Sequence, residues 1–111
     1  MQDKLKIAIT AKKTIKYIEK NISNFPNDYL VLKTRILNSL YDILENIYRA
    51  NISQDITVKK EMIVQIEMLN FYLKESLDKE LISKKKFLSY SSHLLELHSM
   101  VFSWFKYEES K

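Results

Sequence analysis

The stretch "KNISNFPNDYL", residues 20–30, holds the only proline of a 111-residue chain that contains no glycine, and its reading decides the fold. Average usage is about 7% glycine and about 5% proline, so a chain of this length would ordinarily carry several of each. Tight hairpin turns and phosphate-cradling loops need glycine, which disfavours β-hairpins, Rossmann folds and P-loops. What remains is an all-helical chain with short polar turns. Pro26 keeps Phe25 out of the helical region, and Asn27 or Asp28 can serve as an N-cap. A first helix over about 3–21 therefore ends here, and a second starts near 28.

Upstream of that break, Ala8, Ala11, Ile15, Ile18 and Ile22 recur at steps of three and four and share one helical face. Lys6, Lys13 and Lys20 stand seven apart on the opposite face, flanked by Lys12 and Lys16. Downstream, Leu30, Leu37, Leu40, Leu44 and Ile47 define the expected core stripe of a helix over 28–50. Ile36, Tyr41, Ile43 and Tyr48 widen its apolar arc. The turn "NISQD", residues 51–55, offers Ser53 as cap for a helix over 54–76, with Met62, Ile66, Leu69 and Leu73 pointing inward. The break "LDKELIS", residues 77–83, offers Ser83 as cap for a helix over 84–108. Helices of roughly 20 residues are about 30 Å long. Short turns make neighbours antiparallel, so the expected architecture is a single up-down-up-down four-helix bundle over 1–111.

The formal net charge is +4 and is unevenly spread. Residues 1–24 hold six lysines against Asp3 and Glu19, whereas residues 53–78 hold three lysines against Asp55, Glu61, Glu67, Glu75 and Asp78. A local basic face attracts phosphates, although such runs also serve simply as solvated helix faces. Tyr17 borders the lysine face, and an aromatic among cations can stack a base. No apolar run approaches the ~18 residues of a membrane span, and "MQDKLKIAIT" lacks a secretory apolar region. A soluble, cytoplasmic protein is the expectation.

Chemistry finds little footing. Cysteine is absent, which removes disulfides, thiolate metal sites and thiol nucleophiles. His93 and His98 are five apart and point to different sides of a helix. No Glu-x-x-His pair of the di-metal bundles is present, nor a serine elbow. No catalytic residue, metal or cofactor is expected.

The last helix carries two apolar stripes: Leu88, Leu95, His98, Phe102 and Phe105, and beside them Tyr90, Leu97, Val101 and Trp104. Together they span roughly twice the ~100° that suffices to face a core. The second stripe, Tyr90, Leu97, Val101 and Trp104, is accordingly expected to form a homo-oligomer interface. On this reading Trp104→Ala weakens assembly more than folding.

Four segments carry a family resemblance: "NFPND" at 24–28, "NIYRANIS" at 46–53, "LISKKKF" at 81–87 and "ELHSMVFSW" at 96–104. The chain resembles the accessory variability determinant (Avd) proteins of diversity-generating retroelements, within the wider bAvd-like four-helix bundles. In the closing segment Glu96, Leu97, Met100, Val101, Ser103 and Trp104 fit the family pattern. His98, Ser99 and Phe102 stand where it prefers glycine, arginine and glycine. The resemblance implies a pentameric ring of bundles that partners a reverse transcriptase and binds RNA or DNA. The implied role is non-enzymatic, supporting error-prone copying of a template RNA into cDNA. Lys6, Lys13, Lys16 and Lys20 are the first candidates for phosphate contacts, then Lys12, Arg35, Arg49, Lys84, Lys85 and Lys86. The alternative is a structural or protein-interaction bundle without a polymerase partner, as in the related proteins encoded in ribosomal RNA intervening sequences. Their glycine- and alanine-rich second-helix stretch is absent from "KTRILNSLYDILENIYRA", residues 33–50.

Overall fold

A computed structural model describes residues 4–53 and 55–109, and the side chains of 6–53 and 55–106. The expected first positions of the first and third helices, 3 and 54, lie outside the described residues. Helix α1 runs over Lys4–Ile22, α2 over Leu30–Ser53, α3 over Ile56–Asp78 and α4 over Lys84–Glu109. No strand occurs among the described residues.

Pro26 adopts an extended backbone, φ −58° and ψ 153°, and is followed by one 3-10 turn, Asn27–Tyr29, that leads into α2. The turn closes through Tyr29 N–H donating to the Pro26 carbonyl at 2.9 Å. Asn27 and Asp28, the caps expected from the sequence, instead lie inside this 3-10 turn, whose own cap position is held by Pro26 without a side-chain hydrogen bond. At the next turn Asp55, not Ser53, caps α3: its Oδ1 accepts from Thr57 N–H at 2.9 Å. The Ser53 hydroxyl is engaged with the Arg49 carbonyl, since Ser53 is still inside α2. Ser83 does cap α4, accepting from Lys86 N–H at 3.1 Å. The end of α3 is closed by Leu81 N–H to Ser76 O and Glu80 N–H to Leu77 O, both 2.9 Å, with Glu80 at φ 60°. This is the double bond of a Schellman motif, built without glycine.

The four helices form an antiparallel square. Helix α2 packs on α1 and α3, and α4 on α3 and α1, while among the described residues the diagonal pairs make no close backbone approach. Opposed residues give the sense of three of the four seams: Lys12 over Tyr48 and Glu19 with Tyr41 between α1 and α2, Lys59 over Trp104 and Asn70 with Ser91 between α3 and α4, Tyr17 with Ser89 and Asn21 with Lys86 between α1 and α4. The body measures 46 × 22 × 19 Å.

The expected core faces of α1 and α3 are buried as read. In α2 the inward face is rotated: Ile36, Leu40, Ile43, Ile47 and Ala50 are buried, Leu37 and Leu44 sit at its margin, and Leu30 is exposed. The largest departure is in α4. Tyr90, Leu97, Val101 and Trp104 are each 1% exposed or less and lie in the protomer's own core, so they are not an outward interface. Leu88, Leu95 and Phe102 are the exposed stripe instead. The physical reason is size. Trp104 and Tyr90 are the two largest fully buried side chains, and turning them inward removes more apolar area from water than burying Leu88 and Leu95.

Candidate nucleic-acid interface

The lysines of α1 are positioned by the same periodicity that buries its opposite side. Lys6, Lys12, Lys13, Lys16 and Lys20 are all exposed, on a strip that at 1.5 Å per residue runs about 21 Å along the helix. Among the described residues, Lys12, Lys13, Lys16 and Lys20 have no carboxylate within ion-pair distance. At the end of α3 the arrangement is different: Lys74 pairs with Asp78 at 2.9 Å and Lys79, just past the helix, with Glu75 at 3.5 Å. Those two charges are compensated locally, whereas the lysines of α1 add.

The strip continues onto α4 at one point. Lys86 Nζ donates to Asn21 Oδ1 at 2.6 Å across the α1–α4 seam and stands 6.0 Å from the Tyr17 ring centroid. Lys84 and Lys85 are exposed in the same first turn of α4, which holds no acidic residue. Arg35 and Arg49 do not join the strip. Arg35 lines a hollow with Asp42 and Tyr72. Arg49 pairs with Glu45 at 3.2 Å beside Glu61 of α3. Both therefore face α3, beyond the flank that meets α1.

Tyr17 is partly buried in the α1–α4 seam. Its hydroxyl is hydrogen-bonded with Ser89 Oγ at 2.8 Å, and its ring packs edge-on against Tyr90 at 5.4 Å and His93 at 4.9 Å. Two tyrosines not considered as binding residues in the sequence reading stand in a more open place. Tyr41 and Tyr48, 47% and 44% exposed, lie on the flank of α2 that meets α1. Lys12 Nζ lies 5.6 Å from the Tyr48 ring centroid. The Tyr41 hydroxyl donates to Glu19 Oε2 at 2.8 Å. That hydrogen bond, with burial and the nearby negative charge, holds the Tyr41 phenol above its ordinary pKa. Their seven-residue spacing was visible in the sequence as a widened apolar arc. Their neighbours on α1 were not, because they depend on the antiparallel register.

His98 is a packing residue at the α3–α4 groove. Its imidazole stacks on Phe102 at 6.1 Å, and Nε2 lies 4.0 Å from Glu67 Oε1. No group of three histidine, cysteine or carboxylate side chains placed to hold a metal exists among the described residues. No helix among them is long and apolar enough to cross a membrane.

No protein-family model matches the chain, and no curated protein matches it in sequence.

Proposed function

We propose that this four-helix bundle is a non-enzymatic module that binds nucleic acid through the basic strip of α1 and the adjoining first turn of α4. One observation carries the reading: four exposed lysines on one helix face lack carboxylate partners among the described residues, whereas Lys74 and Lys79 at the end of α3 are paired. A polyanion held by such a strip releases condensed counterions. With about five lysines engaged, the logarithm of the affinity falls with the logarithm of salt at a slope of roughly −4 to −5 on a DNA duplex. Because phosphates are the contacts, binding is largely indifferent to sequence.

The finer reading rests on the resemblance of the "NFPND", "NIYRANIS", "LISKKKF" and "ELHSMVFSW" segments. On it, the bundle is an accessory subunit of a retroelement reverse transcriptase, supporting mutagenic cDNA synthesis as a homo-oligomeric ring in the cytoplasm. A ring repeats each lysine by symmetry, so weak contacts sum through avidity. Self-association would draw on the stripe left exposed on α4, Leu88, Leu95 and Phe102. Sedimentation of Leu95→Glu tests that part, with a smaller particle expected.

Fluorescence anisotropy with RNA and DNA across a salt series tests the central claim. The expected result is steep salt dependence and loss of binding in Lys13→Glu/Lys16→Glu. No binding of any nucleic acid by the unaltered protein at about 50 mM salt removes the reading and leaves a structural or protein-interaction bundle. Co-purification with a reverse transcriptase encoded by a neighbouring gene tests the partner.

A further inference from the structure

We infer that the α1–α2 seam is a binding surface for single-stranded nucleic acid, with bases stacked on Tyr41 and Tyr48 and phosphates on Lys12 and Lys16. This rests on the nucleic-acid reading above and adds the class of strand. Both residues are nearly half exposed although they lie on the flank of α2 that packs against α1. The two rings are seven residues apart on one helix, about 10.5 Å by the helical rise, so each can take its own base. Lys12 lies over the Tyr48 ring at 5.6 Å. A cation on an aromatic face is a weak contact at an exposed site, and a base arriving on that face releases the ammonium towards the adjoining phosphate. Tyr41 is tethered to α1 by its hydroxyl bond to Glu19, and the residue remains 47% exposed. Tyr17, by contrast, is partly buried against Tyr90, His93 and Ser89.

A duplex keeps its bases stacked inside and presents only phosphates to such a surface, whereas an unpaired strand can use both lysines and rings. The two contact types are therefore separable by mutation. Affinity is measured for an unstructured oligo-dT, an unstructured oligo-U and a blunt duplex of the same length, for the unaltered protein and the variants Tyr41→Leu, Tyr48→Leu and Lys12→Ala/Lys16→Ala. Leucine keeps the apolar contact with α1 and removes the aromatic face, and a thermal melt checks that each variant is folded. Each leucine variant is expected to bind the single strands about 5- to 10-fold more weakly and the duplex as before, while the lysine variant weakens all three ligands. The oligo-dT and oligo-U arms show whether the strand is DNA or RNA, and tyrosine dependence on either supports the surface. Unchanged single-strand affinity in both leucine variants overturns this inference and leaves the basic-strip reading standing. Absence of binding to every ligand by the unaltered protein overturns both.

Discussion

Tyr90 shows how much a single hydroxyl weighs in this core. The residue is fully buried, and its hydroxyl has no hydrogen-bond partner among the described residues. Burial first, then the neighbouring Tyr17, push its pKa from 10.0 up to about 12. Because the folded state holds this proton more tightly than the unfolded state, the associated stability is fully present below the ordinary pKa. It is lost as pH rises from 10.0 through about 12. Alkaline titration followed by tyrosinate absorbance should therefore show one phenol ionising last, together with unfolding. Tyr90→Phe removes the unsatisfied group, keeps the ring, and should raise stability by about 1 kcal/mol while abolishing that late step. Trp104 carries the opposite prediction. With 1% of its surface exposed, Trp104→Ala opens a cavity and should cost about 3–5 kcal/mol in a denaturant melt. That is a folding defect, not the assembly defect its sequence position suggested.

At the scale of the element, the glycine-free composition has a local consequence. The Schellman turn after α3 places Glu80 at φ 60°, the left-handed region that costs a residue with a Cβ roughly 1–2 kcal/mol. Replacing it with glycine relieves that cost but frees the unfolded chain, so Glu80→Gly should stabilise by about 0.5–1 kcal/mol, read as a higher melting temperature. The turn residues also show why spacing alone does not select the cap. Ser53 and Asp55 are both good capping residues two positions apart. Which one acts depends on where α2 stops, and α2 continues through Ser53.

Across the whole molecule, the lysines of α1 set stability against binding. Lys16 has Lys12 and Lys20 four residues to either side, and like charges at that spacing cost about 0.2–0.5 kcal/mol per pair. Lys16→Glu turns two repulsions into attractions and should raise the melting temperature slightly while weakening nucleic-acid binding. If binding is instead unchanged, the strip serves solubility. Much of the rest was legible beforehand. The missing glycines, the Pro26 break and the three-and-four spacing of apolar residues in α1 and α3 specify four helices and two of their buried faces, because helical period and backbone sterics are local properties. The lysine strip was legible for the same reason.

Other features required the chains of the bundle to meet. Helix α4 carries two apolar stripes of nearly equal length, and periodicity alone cannot say which turns inward. Packing α1 and α3 against it buries the stripe with the bulkier rings, Tyr90 and Trp104, and leaves Leu88, Leu95 and Phe102 in water. The antiparallel register likewise packs Tyr17 against α4 while placing Tyr48 beside Lys12 and Tyr41 beside Glu19. Local order was thus written in residue spacing, whereas the choice of face and of neighbours came from the competition among helices for the same buried volume.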